Sequence, residues 1–327
     1  MKRYTREKLQ YMVGGLLYSP AINNKLADKI CEHAFSKLTS MAFCLEDSIC
    51  DEALAEAESE LVKTLREIKS NKDKLSERDL PLLFIRIRTP EHMEHVHALV
   101  KDYYDILCGY ILPKYDLSNC EEYRRIILNI NTDREDPVYI MPILESRMIA
   151  DAETRISILK GLKSSLDSIK EYVLNVRVGG NDFCNLYGLR RNVHQNIYQI
   201  AVIRDIFSDI LNVFSADYVI SGAVWEYFGT DTCAPWATGL KQELTLDILN
   251  GFVGKTAIHP CQLPVIYESL KVDKADYEDA QRILGWASDK LGVEKSTERS
   301  RMNEVKCHGK WASRIAALGE IYGIRET

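Results

Sequence analysis

The sequence predicts an α/β fold, a (β/α)8 barrel carrying additional C-terminal helices, and three observations predict it. Short runs rich in β-branched and apolar residues recur along the chain. Each run closes on polar or charged residues, and each is followed by a longer amphipathic stretch. Runs that are continuously apolar suit parallel strands covered on both faces, whereas a half-exposed strand would alternate.

The runs are 16–20, 41–47, 81–88, 106–114, 138–145, 174–182, 218–224 and 254–260. That is enough strands to close a barrel, and a mean spacing of about 34 residues leaves room for one helix after each. The connecting segments support this. Residues 23–38 place Leu26, Ile30, Ala34 and Leu38 at helical spacing, and 51–68 mixes acidic and apolar residues in the same rhythm. A doubly wound open sheet would favour a glycine-rich first turn, and Tyr18-Ser19-Pro20-Ala21 provides none.

The start of the chain, with Lys2, Arg3, Arg6 and Lys8 before the apolar stretch 11–18, has the outline of a signal peptide. Glu7 and two glycines interrupt it, so it is read as a first strand. The barrel is expected to occupy 1–262 as the catalytic domain. Residues 263–327 form a helical extension with helices at 263–270, 275–290 and 304–321, and the polar stretch 292–301 reads as a linker.

Composition narrows the function classes. With 46% hydrophobic and 28% charged residues the chain has material for one large core. A net charge of −6 without a Lys/Arg run gives nucleic acid no support, and no apolar run is long enough to span a membrane. The nine cysteines are scattered and never form a C-x-x-C pair, which suits reduced thiols in the cytoplasm.

Catalytic groups in this fold come from the C-terminal ends of strands. Read in order, those ends carry Ser19, Glu46 with Asp47, Arg86 with Arg88, Lys114, Glu145, Asp182, Glu226 and His259. Glu145 and Asp182, from neighbouring strands, could hold one hard cation such as Mg2+ and leave positions for water and substrate oxygens. The competing reading pairs them with Arg86 or Lys114 in a buried ion network. Arg86 has the fork that a substrate carboxylate fits, or that Glu46 or Asp47 would bridge. Gly179 and Gly180 would let the backbone approach a substrate anion closely.

Other motifs carry less. Gly254-Lys255-Thr256 lacks the upstream glycine of a phosphate loop, since Leu249 stands there. His92, His95 and His97 read as a solvated helix face, Arg190 and Arg191 as surface pairs, and His259 as a lock between the last strand and its turn.

Seven pieces, in order, resemble the HpcH/HpaI aldolase and citrate lyase family, and its citrate lyase beta subunit-like branch in particular. They are Leu17-Tyr18-Ser19-Pro20-Ala21, Leu45-Glu46-Asp47-Ser48, Ile85-Arg86-Ile87-Arg88, Leu112-Pro113-Lys114, Pro142-Ile143-Leu144-Glu145-Ser146, Gly179-Gly180-Asn181-Asp182 and Gly254-Lys255-Thr256-Ala257-Ile258-His259-Pro260. The resemblance implies a TIM-barrel, Mg2+-dependent carbon–carbon lyase acting beside a 2-oxo acid. Glu145 and Asp182 would carry the metal, and Arg86 would hold the oxo-acid carboxylate. Glu46 and Asp47 would position water or move a proton, with Lys114 close by. It also implies an acyl-CoA or acyl-carrier thioester as the second substrate and a homo-oligomeric, trimeric or hexameric enzyme. The alternatives are a CoA-independent aldolase of 4-hydroxy-2-oxo acids and a degenerate barrel acting as a binding subunit. Three features depart from the family pattern: Cys44 where an aspartate is usual, Arg88 where an asparagine is usual, and an aromatic-rich insertion at 225–238. The insertion reads either as a lid or specificity loop, or as aromatic packing against the C-terminal helices.

Overall fold

In the computed structural model, which describes residues 4–72, 80–287 and 291–325, the apolar runs form eight parallel strands. These are β1 (Gly15–Pro20), β2 (Ser40–Cys44), β3 (Leu82–Arg86), β4 (Leu107–Leu112), β5 (Tyr139–Leu144), β6 (Val176–Val178), β7 (Ile220–Ser221) and β8 (Lys255–Ala257). Their order is β7-β6-β5-β4-β3-β2-β1-β8. A parallel bridge from Gly222 to Lys255 joins the two ends, as do the amides of Gly222 and Val253 donating to Gly254 and Ile220 carbonyls at 3.0 and 2.7 Å. The sheet thereby closes into a barrel of the predicted class. The last three strands are shorter than their apolar runs, because chain that follows each pairing leaves the sheet at once to build the mouth.

The first element differs from expectation. Residues Arg6–Met12 form helix α1, and β1 begins only at Gly15. Leu9 and Val13 pack with Leu16, Leu82, Phe84, Tyr139, Met141 and Leu174 in one buried cluster. The Arg6 guanidinium donates to the Val173 carbonyl at 2.9 and 2.7 Å. Helix α1 therefore stoppers the N-terminal end of the barrel, so a basic start and an apolar stripe that mimic a leader are used as a plug. Lys2 and Arg3 lie outside the described residues.

Between the strands run α2 (Leu26–Cys31), α3 (Leu54–Asn71), α4 (Pro90–Val100), α5 (Cys120–Asn131), α6 (Arg147–Ala150), α7 (Arg155–Asp167), α8 (Gly180–Leu186), α9 (Ala201–Phe214), α10 (Pro235–Asn250) and α11 (Gln262–Ser269). Chain contacts divide the molecule into two units, Met1–Ile266 and Tyr267–Thr327.

Within the second unit, α12 (Lys274–Leu284) and α13 (Val305–Tyr322) pack through Ala280, Ile283 and Ala312, with Trp311 and Ile315 against them. Gly319 is the close point of this pairing, since a β-carbon there would stand 2.4 Å from the Tyr277 ring. Residues 288–290, the end of one expected helix, lie outside the described residues. The expected linker is instead a hairpin, β10 (Val293–Lys295) against β11 (Met302–Glu304). Buried Asp279 on α12 holds its turn, accepting from the Thr297 amide at 3.0 Å and from Arg301 Nε at 2.8 Å. A polar stretch with few apolar residues can be ordered by one buried carboxylate. Burial works to raise the Asp279 pKa, and the Thr297 amide and Arg301 overcome it and hold the group low.

Candidate active site

The residues that end the strands gather around an open cavity of about 660 Å3. Cys44 on β2 pairs in register with Arg86 on β3, and Ile143 on β5 with Arg177 on β6, so Arg86 and Arg177 stand at comparable heights on two sides of the mouth. Of the predicted site residues, Asp47, Arg86, Glu145, Gly179, Gly180 and Asp182 line this cavity. Glu46 and Lys114 stand behind them and meet them through ion pairs.

Arg86 is buried, and its Nη2 lies 2.8 Å from Glu46 Oε2 and 2.9 Å from Asp47 Oδ2. The same nitrogen is 3.9 Å from Glu145 Oε1, Nη1 is 3.9 Å from Cys44 Sγ, and the guanidinium lies 5.4 Å above the Tyr18 ring. Burial works against its charge, yet Tyr18, Glu46, Cys44 and Glu145 outweigh that and keep it protonated. Arg86 Nε has no partner. Lys114 Nζ contacts Glu46 and stands 3.6 Å from Asp47 Oδ1. Glu46 and Asp47 are thus shared by two cations. Asp47 is held below its ordinary value: burial raises it, but the hydrogen bond with Glu46 and the charges of Arg86 and Lys114 prevail.

Lys114 adopts a left-handed backbone, φ 49°, uncommon for a side-chain-bearing residue. This turn aims its amide at Glu145 Oε1, 2.9 Å away, while its ammonium reaches Glu46, so one residue steers two carboxylates.

Glu145 follows β5 and is only 7% exposed. Its pKa is pushed up to about 8, first by burial and then by the charge of Asp182, with which it shares a hydrogen bond. The Arg86 charge and the Lys114 amide pull the other way and lose. The anticipated ion network therefore exists, but it centres on Glu46 and Asp47, and Glu145 is left facing another carboxylate. Two hard oxygen donors side by side without a close cation fit a Mg2+ ion that keeps several positions for water and substrate. Among the described residues no group of three or more His, Cys, Asp or Glu side chains converges as a metal site, so the pair would be the protein's whole contribution.

The glycine pair has a steric reason that the sequence did not disclose. A β-carbon on Gly179 would lie 2.1 Å from Glu145 Oε2, and one on Gly180 would lie 2.7 Å from the Ala223 β-carbon. Gly179 starts α8 and brings Asp182 up against Glu145 with no side chain between.

Two features escaped the sequence reading. Arg177, hidden inside an apolar run, is buried and lines the cavity. The signal was a guanidinium within a strand whose neighbours are all apolar. Behind the seam between β7 and β8 sits a buried charge cluster. Lys255 Nζ meets Glu243 Oε1 at 2.9 Å, Asp247 Oδ2 at 2.8 Å and the Ala223 carbonyl at 2.6 Å. Glu243 and Asp247 are one turn apart on α10, an acidic pair at helical spacing that could have been noticed.

Arg191, expected on the surface, belongs to this cluster: it is buried, contacts the Val224 carbonyl and Glu243, and stacks 5.1 Å from Trp225. Arg190 does pair at the surface, with Glu226. The aromatic insertion is a fixed wall. Trp225 Nε1 donates to the Trp236 carbonyl at 3.1 Å, Trp236 Nε1 to Asp231, and Gln262 Nε2 to the carbonyls of Trp225 and Tyr227. Its end, from Pro235, is already α10. Arg88 ties down the loop after β2 through the carbonyls of Leu45 and Ile49 and through Asp51. His92 and His95 on α4 share Glu58, away from the cavity, and His97 pairs with Tyr104. His259 lies 3.0 Å from Cys261 Sγ in the turn after β8 and stacks on Phe228 at 4.5 Å.

Solved structures share this fold. CitE from Mycobacterium tuberculosis in complex with magnesium, acetoacetate and coenzyme A superposes with a TM-score of 0.61 at 16% identity, covering 94% of this chain and 98% of that one. The M. tuberculosis citrate lyase beta subunit with oxaloacetate and magnesium gives 0.53 at 17% identity, covering 80% and 98%. A Haloferax volcanii malate synthase gives 0.59 at 14%, covering 84% and 79%. These identities speak for a common fold. Comparison with curated proteins returns no match. A family match runs through both units, over residues 7–324, and on it the chain belongs to the C-C_Bond_Lyase family, the C–C bond lyases of the TIM-barrel fold.

Proposed function

We propose that this chain is a Mg2+-dependent carbon–carbon lyase that makes or breaks the bond between an acyl thioester and a 2-oxo acid. The observation that carries the reading is the buried pair of Glu145 and Asp182, with Glu145 pushed up to about 8 because no cation stands close enough to offset its neighbour. Glu145 and Asp182 would hold the ion, and a bound Mg2+ supplies Lewis-acid stabilisation of the enolate oxygen that such a cleavage produces.

The chain's own residues account for the remaining tasks. Arg86, with Nε unpaired, receives the oxo-acid carboxylate. Glu46, Asp47 and Lys114 fix the guanidinium in that orientation, and Asp47, the member of the group that reaches the cavity, is the acid placed to exchange a proton. Gly179 and Gly180 keep the floor low enough for substrate to approach the acid pair. The thioester half of the reading draws support from the similar CitE structure, which contains coenzyme A and magnesium. The same likeness underlies the expectation of a cytoplasmic homo-oligomer, trimer or hexamer, which light scattering on the purified chain tests.

The decisive experiment is calorimetric titration of Mg2+ into wild type and Glu145→Gln, followed by oxaloacetate, pyruvate, glyoxylate and acetyl-CoA on the Mg2+-loaded protein. Loss of Mg2+ binding in the variant and a response of wild type to an oxo acid and to the thioester are expected. Undiminished Mg2+ binding by Glu145→Gln would refute the metal assignment. No response to any thioester would leave the CoA-independent aldolase as the better reading.

A further inference from the structure

Arg177 is 1% exposed and sits in the wall of the cavity. Its Nη2 donates to Thr256 Oγ1 at 2.7 Å on β8, and the Tyr18 hydroxyl stands alongside. Its Nε and Nη1 find no acceptor among the described residues. The contrast with Arg86 is direct. Arg86 meets the carboxylates of Glu46 and Asp47 within 3 Å, whereas no carboxylate stands against Arg177. Burial, the dominant influence, depresses its pKa, and the nearby positive charge of Arg86 adds to that.

An uncompensated buried guanidinium is costly, because a charge removed from water needs both a counter-charge and hydrogen-bond partners. Two residues earlier, and hence on the same side of the extended chain, Asn175 is 1% exposed and leaves both side-chain amide atoms unpaired. The inner wall at β6 therefore holds a column of polar groups that the protein does not satisfy, opening upward into the cavity beside Glu145 and Asp182.

We infer that Arg177 is a second anion anchor: it receives a carboxylate of the substrate other than the one held at Arg86, and so selects oxo acids that carry two carboxylates over those that carry one. This rests on the function proposed above for the same cavity. The arrangement follows from chemistry already described. With Arg86 given to the carboxylate next to the ketone, the only other guanidinium lining the cavity with free donors is Arg177. A planar donor fork suits a carboxylate, and Thr256 and Tyr18 fix its orientation in advance.

The test is calorimetric binding of oxaloacetate and of pyruvate to Mg2+-loaded wild type and Arg177→Met, with thermal denaturation of both proteins free of oxo acid. Wild type is expected to bind oxaloacetate at least about tenfold more tightly than pyruvate, as charged hydrogen bonds allow. In Arg177→Met that preference falls to about one, pyruvate binding stays as it was, and the ligand-free melting temperature rises because an unpaired buried charge has gone. A residue with a purely structural role would do the reverse, lowering the melting temperature and weakening both ligands together, and that result overturns the inference. So does a tenfold preference that survives the substitution. Failure of the underlying reading has a different signature, since wild type would then bind neither oxo acid, whatever stands at 177.

Discussion

Replacing Gly179 by alanine tests the core of the site with a single methyl group. The added β-carbon would lie 2.1 Å from Glu145 Oε2 and 2.3 Å from Glu145 Cβ, where ordinary contact begins at 3.4 Å. The carboxylate has to retreat by roughly 1 Å or more, because interiors packed at crystal-like density have no slack for such an overlap. Retreat is resisted on the far side by the Lys114 amide, 2.9 Å from Glu145 Oε1, which is itself fixed by a left-handed turn. Overpacking of this kind costs about 1–3 kcal/mol of folding stability. Moving one of two metal-binding carboxylates that far lowers Mg2+ affinity on the order of 10–100-fold, the scale seen when the surroundings of a ligand are disturbed. Isothermal titration with Mg2+ and chemical denaturation measure both effects on the same preparation. Affinity within twofold of wild type, with stability unchanged, would show that Glu145 does not depend on the missing side chain and would refute the reasoning.

Two further predictions follow from the charges. Glu145 has a folded pKa of about 8, above its ordinary value, so at neutral pH the native state holds a proton that the unfolded chain has released. Stability of the metal-free protein should therefore be greatest at or below the ordinary carboxylate value and decline as pH rises towards about 8. Mg2+, which must displace that proton, should bind up to about tenfold more weakly for each pH unit below 8. Titrations between pH 6 and 9 check this, and a pH-independent affinity contradicts it. Lys255→Met leaves Glu243 and Asp247 buried on α10 without their shared cation, so a loss of about 3–5 kcal/mol by urea denaturation is expected. A neutral effect would mean that the acids take up protons at no cost.

Much of this molecule was legible because barrel strands announce themselves. The runs through Met41, Leu83, Tyr110 and Ile140 are apolar on both faces, and the residues that follow them must gather at one rim. That is how Glu145, Asp182, Arg86 and Asp47 could be placed in one cavity without coordinates. What the sequence concealed is of another kind. Helix α1 and a strand present the same apolar residues over a few positions, so Arg6–Met12 was read in the wrong period. Arg177, Lys255 and Arg191 were passed over because a charge within or beside an apolar run is expected to be on the surface, and only the fold shows which direction it faces. The hairpin across 293–304 depends on Asp279, a residue on a different element, which no local pattern connects to it.

The closure between β7 and β8 has a consequence for motion. β7 has only two residues, and it meets β8 through the Gly222–Lys255 bridge and a handful of amide bonds, whereas β1 and β2 pair over five positions. A ring opens where it is thinnest. The amides of Gly222, Val253 and Lys255 should be the first in the barrel to exchange with deuterated solvent, through a local opening well below the free energy of global unfolding. The wall that carries Val224 and Glu226 begins at this seam and would move with it. The barrel can then admit a bulky substrate by parting one seam and leaving the other strands joined, with the buried charges behind β8 setting how often that seam parts.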